Sequence, residues 1–171
     1  IIGDNVTLIR EYAFAKCGSL REFSGKFASD NGRCLIKDNA IIAYANASGT
    51  TYIIPNGVTL IARTAFSCCS SLTSVTIPDS ITGIDDKTFN ECRGLTSIMI
   101  PDSITSIGQR AFGSCESLES IVIPDNVISI GAGAFKYCYK LASVTLPEGI
   151  THINNFVFRN CKNLKSIIIP E

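Results

Sequence analysis

The sequence predicts an α/β solenoid of stacked coils, and three observations carry that reading. Proline recurs at Pro55, Pro78, Pro101, Pro124, Pro147 and Pro170, each step being 23 residues. Phenylalanine recurs in the same register at Phe66, Phe89, Phe112, Phe135 and Phe158. Three residues behind each stands a cysteine (Cys69, Cys92, Cys115, Cys138, Cys161), and three later a leucine (Leu72, Leu95, Leu118, Leu141, Leu164). A fixed period between about 20 and 50 residues marks an array in which each unit buries its apolar face only against its neighbours. The expectation is one solenoid over residues 1–171, its right-handed 23-residue coils joining parallel short strands to short helical turns. About seven such coils would share one continuous core.

Residues 3–25 read as a first repeat lacking only the leading proline, with Val6, Ile9, Ala13, Phe14, Cys17, Leu20 and Phe23 in the apolar positions. Residues 26–54 are 29 long, 23 plus 6, so this repeat is enlarged. Within it Arg33-Cys34-Leu35-Ile36-Lys37 and residues 40–44 flank Asp38-Asn39, a pair tolerant of positive φ. That pattern predicts a β-hairpin standing in for the usual short helix. Ser29-Asp30-Asn31-Gly32 reads as a turn before it, 46–49 as a loop after it, and 51–54 as a strand.

Residues 55–169 are five copies of P-D-S-I-T-x-I-G-x-x-A-F-x-x-C-x-x-L-x-S-I-x-I. Counted from proline, positions 4, 7, 11, 12, 15, 18, 21 and 23 are apolar; in the third copy these are Ile104, Ile107, Ala111, Phe112, Cys115, Leu118, Ile121 and Ile123. Ile121 and Ile123 alternate as a strand does. Ala111, Phe112 and Cys115 are spaced for one helical turn, and 104–107 reads as a second extended segment. Proline ends the strand because it cannot donate to a ladder. Stacked coils would pair as parallel strands about 4.8 Å apart.

The pattern C-x-x-L-x-S-I-x-I-P followed by V/I-T-x-I-G-x-x-A-F-x-x-C resembles the BspA-like, or treponemal-type, leucine-rich repeats, over residues 55–171 and 3–23. The enlarged stretch N-G-R-C-L-I-K-D-N-A-I-I-A-Y is similar to a hairpin variant among such repeats. Thr88 and Val157 depart from the position-11 alanine, and Arg10, Ala62, Asp85 and Asn154 from the position-8 glycine, which bears on local turn geometry. The resemblance implies a leucine-rich-repeat solenoid belonging to a secreted or cell-surface adhesin that binds host, matrix or other-cell proteins. A structural spacer or stalk, or an intracellular scaffold without a binding role of its own, is the alternative.

Net charge is zero, which argues against general nucleic-acid or acidic-membrane binding. The charge is unevenly spread: residues 79–125 hold eight acids and three bases, and the chain beyond 125 holds five bases and two acids. No apolar run approaches the roughly 18 residues of a membrane span, and no charged-then-apolar leader opens the chain. Ile1-Ile2 reads as the tail of a strand and Pro170-Glu171 as the start of a repeat, so the chain is expected to be part of a longer protein.

No catalytic constellation, metal site or cofactor site is expected. Cys17, Cys69, Cys92, Cys115, Cys138 and Cys161 share one inward position, where a free thiol acts as a small apolar side chain; disulfide and metal readings are weaker. Cys34 and Cys68 lie off that column and are expected to be the more reactive. His152 is the only histidine, at a variable position, which disfavours a Cys-His or Ser-His-Asp site. Asp85-Asp86 lie on a turn without a matching acid in neighbouring repeats. Gly131-Ala132-Gly133 lacks the context of a phosphate loop. Asn5-Val6-Thr7 and Asn46-Ala47-Ser48 match the glycosylation pattern.

Two surfaces are candidates for binding. Position 20 is serine in every regular repeat (Ser74, Ser97, Ser120, Ser143, Ser166). Position 22 carries Thr76, Met99, Val122, Thr145 and Ile168, with Ile53 before them. If positions 21 and 23 point inward, these face solvent as a β-branched or apolar stripe beside a serine column; the alternative is plain strand propensity. A second, basic and aromatic patch comprises Lys136, Tyr137, Tyr139, Lys140, Arg159 and Lys162, suited to anionic glycans or proteins unless it is solvated decoration.

Overall fold

The computed structural model describes residues 1–3, 5–10, 12–29 and 31–169. Pro170, Glu171 and Asp30 of the turn before the hairpin lie outside the described residues. Twelve short strands form among the described residues: β1 (Cys34–Lys37), β2 (Ala40–Tyr44), β3 (Thr51–Ile53), β4 (Leu60–Ile61), β5 (Ser74–Thr76) and β6 (Gly83–Ile84) come first. They are followed by β7 (Ser97–Met99), β8 (Ser106–Ile107), β9 (Ile121–Val122), β10 (Ser129–Ile130), β11 (Ser143–Thr145) and β12 (Ser166–Ile168).

The strands stack in two parallel columns, as a 23-residue coil requires. In the first column β3, β5 and β7 pair in register, and so do β9, β11 and β12. β7 lies against β9, joining the two runs by packing. The second column holds β6, β8 and β10 at the extended segment expected from positions 4 to 7. The hairpin forms as expected: β1 and β2 are antiparallel, and Asp38 and Asn39 have φ of 51° and 59°, the left-handed pair that a tight hairpin turn needs. Its second strand then pairs in parallel with β4. The enlarged repeat thus joins the stack twice, through β2 against β4 and through β3 in the first column, and replaces no helix.

No helix forms among the described residues, which corrects the expected α/β class and its helical turns. Each coil instead runs through consecutive turns with two left-handed residues, at positions 10 and 14: Thr64 and Cys68, Lys87 and Glu91, Arg110 and Ser114, Gly133 and Tyr137, Phe156 and Asn160. Alternate N–H groups therefore serve different coils. Those of Ala111, Gly113 and Cys115 donate to Gly108, Arg110 and Phe112 of their own coil. Those of Arg110, Phe112 and Ser114 donate to the carbonyls of Ala132, Ala134 and Lys136 in the next, at 3.1, 2.8 and 2.7 Å. A helix would consume these donors within one coil and leave the adjoining carbonyls to find other partners. The left-handed residues turn every second N–H outward, and a third ladder along the stack results.

The inward positions pack in like-on-like columns. The Phe66, Phe89, Phe112 and Phe135 rings are fully buried and stack on one another and on Phe158, with centroids 5.1 to 5.7 Å apart. Thiols of Cys92, Cys115, Cys138 and Cys161 donate to the carbonyls of Phe66, Phe89, Phe112 and Phe135 at 3.0 to 3.3 Å. Cysteine fits there as a small apolar group that still carries a weak donor. Thr88 is tolerated at position 11 because its buried hydroxyl donates to the Asp85 carbonyl at 2.8 Å.

The core is in two parts, not one, and the hairpin divides them. Cys34, Ile41 and Tyr44 face the main core, whose phenylalanine stack Tyr44 and Tyr52 close at one end. Leu35, Ala43 and Ala45 face a smaller cluster with Phe23, Ile2, Ile9, Phe14 and Leu20. Among the described residues of 3–25 no strand forms, and Gly25 makes a single parallel bridge to Ile2. Among the described residues the first column accordingly has six rungs rather than seven. Val6, Ala13 and Cys17, expected inward, are exposed.

Candidate interaction surface

In the first strand column, positions 21 and 23 of each repeat up to Leu146 point into the core and positions 20 and 22 away from it, whereas in the last coil Ile167 and Ile169 are exposed as well. Pairing in register lines up Ile53, Thr76 and Met99, then Val122, Thr145 and Ile168. Ile53, Met99, Val122 and Ile168 are 74%, 76%, 77% and 60% exposed, and Thr76 and Thr145 are exposed between them. Beside them run Ser97, Ser120, Ser143 and Ser166, all exposed, and half-buried Ser74. Ser74 pairs with Ser97 and Ser143 with Ser166, whereas Ser120 precedes β9 and has no ladder partner among the described residues. At the strand edge the hydroxyls of Thr73 and Thr96 donate to the carbonyls of Thr50 and Thr73, one coil back, at 2.9 and 3.1 Å. The backbone beneath the stripe is thus fastened on both sides.

The basic and aromatic residues meet on the turn surface of the last two coils. Lys136 Nζ lies 4.7 Å from the Tyr137 ring centroid, and Lys162 Nζ 5.1 Å from that of Tyr139. The Arg159 guanidinium lies 5.1 Å from the centroid of Phe156, an exposed ring that sequence reasoning passed over. Phe156 occupies position 10, where the left-handed backbone (φ 63°) sends its side chain outward. Its signal in the sequence was an aromatic in a column otherwise holding Thr64, Lys87, Arg110 and Gly133. Lys140 stands apart from these stacked cations, with its ammonium 3.9 Å from Glu119.

Groups capable of chemistry lie scattered. Among the described residues no three of His, Cys, Asp and Glu gather as a metal site. His152 is exposed, its Nδ1 2.9 Å from the Thr151 hydroxyl. Burial raises the Asp85 carboxyl above its ordinary range against the pull of Arg63, while neighbouring Asp86 is ion-paired with Arg63 and accepts the Gln109 N–H at 2.7 Å. Burial pushes the Cys34 thiol up to about 12 and likewise raises those of Cys69, Cys92 and Cys115. Cys34 is fully buried on the inner face of the hairpin, which corrects its expected reactivity. Cys17 and Cys68 are the accessible thiols of the off-core turns. Asn46 is buried, and its amide donates to the Cys68 carbonyl at 2.8 Å, so it is no glycan acceptor; Asn5 is exposed.

No curated protein matches the chain. It is similar in structure to a leucine-rich cell surface protein of Faecalibacterium prausnitzii, with 32% identity and a TM-score of 0.84 over 92% of this chain and 44% of that one. It is also similar to a leucine-rich repeat protein of T. pallidum (29% identity, TM-score 0.68, 88% of this chain and 83% of that one). A third relative is the pneumococcal vaccine antigen PcpA (26% identity, TM-score 0.73, 82% and 36%). The chain thus spans less than half the length of the first and third of these. The BspA-type leucine-rich repeat region matches residues 1–32 and 36–165 in six copies, and this chain belongs to that family.

Proposed function

We propose that this chain is a non-catalytic protein-interaction segment of a secreted or cell-surface adhesin, and that its first strand column binds protein partners of a host, a matrix or another cell. The observation that carries the reading is the exposed stripe of Ile53, Met99, Val122 and Ile168 on a backbone fastened by ladders. Proteins seldom leave large apolar side chains aligned in water unless the surface is used. A rigid sheet also loses little conformational entropy on binding. Repeat proteins of this construction generally act as protein-interaction modules, and two of the structural relatives are described as a cell surface protein and a vaccine antigen.

Met99→Glu with Ile168→Glu places a charge in each half of the stripe without touching the core. Binding to a panel of immobilised matrix proteins would be measured beside circular dichroism and thermal melting. Loss of binding by at least tenfold in a protein that melts like the wild type is the expected result. Unchanged binding in the folded variant would leave the array as a spacer, with its partner surface elsewhere.

A further inference from the structure

We infer a second binding site on the turn surface of the last two coils, one that takes a polyanionic glycan chain. It uses none of the strand-face residues and stands whether or not that face binds protein.

The turn surface changes character along the stack. In the coils spanning residues 78–123 it is ion-paired: Arg93 lies 3.6 Å from the Glu91 carboxylate and 3.5 Å from that of Glu116. In the coils spanning 124–169 the column of Arg93 and Glu116, position 16, carries Tyr139 and Lys162, and position 13, uncharged Asn90 and Gly113 before, carries Lys136 and Arg159. Among the described residues no carboxylate lies within ion-pair distance of Lys136, Arg159 or Lys162. The acids of these coils within the described residues, Asp125 and Glu148, sit at position 2, in the corner after the strand. In a chain of zero net charge, unpaired cations gathered on one surface are a local field waiting for a counter-charge.

The cations are also held in place. Lys136 lies between Tyr137 and Phe156, 4.7 and 5.8 Å from their centroids, with Arg159 on Phe156 and Lys162 on Tyr139. The Tyr137 and Tyr139 rings meet at 6.1 Å, tying the two groups together. The Tyr137 and Arg159 backbones join through the turn ladder, N–H to carbonyl at 2.9 Å. Long side chains fixed by ring contacts lose less entropy when a ligand arrives. Arg110 borders a depression with Lys136 and Tyr137 and extends the cationic line one coil further; Glu91, 3.6 Å from Arg93, also lines it.

The occupant follows from what these side chains can offer. Repeating positive charge along the solenoid axis suits a chain with repeating negative charge. Each ring already carries a cation over a face, which disfavours base stacking, the interaction by which aromatic surfaces hold single-stranded nucleic acid. The tyrosine hydroxyls can exchange hydrogen bonds with sugar hydroxyls. Sulfate and carboxylate glycans share this chemistry, and the experiment separates them.

Fluorescence anisotropy of the full chain with labelled heparin, hyaluronate, poly-glutamate and single-stranded DNA tests the site. Heparin or hyaluronate, whichever binds, is expected to bind at least tenfold tighter than poly-glutamate and DNA, and more weakly as salt rises. Lys136→Ala with Arg159→Ala and Lys162→Ala should reduce that binding at least tenfold and flatten the salt slope by about three, one per lost cation. Lys162→Glu alone, at an exposed position, should cost at least threefold and keeps the test open if the triple variant misfolds. Met99→Glu with Ile168→Glu should leave glycan binding unchanged. Equal losses from Lys26→Ala with Lys37→Ala, remote from the site, would show diffuse charge and overturn the inference. Equal or tighter binding of poly-glutamate or DNA would overturn the glycan assignment, and no binding of either glycan would overturn the site.

Discussion

Substituting Gly133 by alanine separates the turn ladder from a helical turn by the sign of one number. Gly133 has φ of 64°, at position 10 of its coil. A Cβ built there would meet Arg110 Cγ at 3.5 Å and Lys136 Cβ at 3.6 Å, ordinary contact, so space is not the issue. The left-handed conformation costs an L-residue about 1–2 kcal/mol. Loss of glycine's freedom in the unfolded chain returns about 0.4–1 kcal/mol. Gly133→Ala should therefore destabilise by up to about 1.6 kcal/mol, about 0.8 kcal/mol at the middle of these ranges. In a helical turn the same change would stabilise by about 1 kcal/mol, the propensity difference between the two residues. Urea unfolding followed by circular dichroism reads the difference as a lower midpoint at unchanged slope. Ser114→Gly, at φ 58°, is the mirror experiment and should raise the midpoint. A Gly133→Ala that stabilises, as a helical turn would have it, would refute the reasoning.

Phe112→Ala removes a fully buried ring stacked on two others and should cost about 3–5 kcal/mol. Phe158→Ala, half-buried and stacked only on Phe135 among the described residues, should cost about half as much by the same urea titration, and equal costs would contradict the stacked-column packing. Under native conditions a thiol reagent should modify exposed Cys17 first and half-buried Cys68 and Cys161 next, with Cys34, Cys69, Cys92, Cys115 and Cys138 reacting only on unfolding. Stability should also fall at alkaline pH. The thiols of Cys34, Cys69, Cys92 and Cys115 have folded pKa values raised by burial above the ordinary 9.0. Their contribution is thus complete below pH 9 and is lost as pH rises toward the folded values, at about 1.4 kcal/mol per pH unit for each thiol ionised only in the unfolded chain. Cys115→Ala should make that decline shallower, as pH-dependent urea midpoints would show.

The period and the inward set were legible because each coil repeats the same burial. Phe112, Cys115 and Leu118 differ little from their counterparts one coil away, so a column in the sequence is a column in the core. The outward stripe was legible for the same reason, since Ile121 and Ile123 pointing in sends Val122 out. The turn was misread because Ala111, Phe112 and Cys115 have a spacing that one helical turn shares with two successive β-turns. What decides between them is the demand of the neighbouring coil for hydrogen bonds, and no spacing within one repeat records it. Cys17 and Cys34 erred in opposite directions through context: a column position is buried only if a neighbour covers it, and a residue off the column is buried if a hairpin has a core on each face. Phe156 was missed because its exposure comes from a left-handed backbone in a column where only Gly133 is a glycine, so the residue types gave little sign of the turn. Asn46 matched a modification motif whose asparagine the fold buries.

The most direct test of the strand-face proposal is site-specific photo-crosslinking to a bound matrix protein. One variant would carry the photoreactive residue in place of Val122 on the first column, another in place of Ser129 on the second; both positions are exposed. A crosslinked partner from position 122 and none from position 129 is the expected result. A crosslink from position 129 alone, or none from position 122 while the partner stays bound, would contradict it.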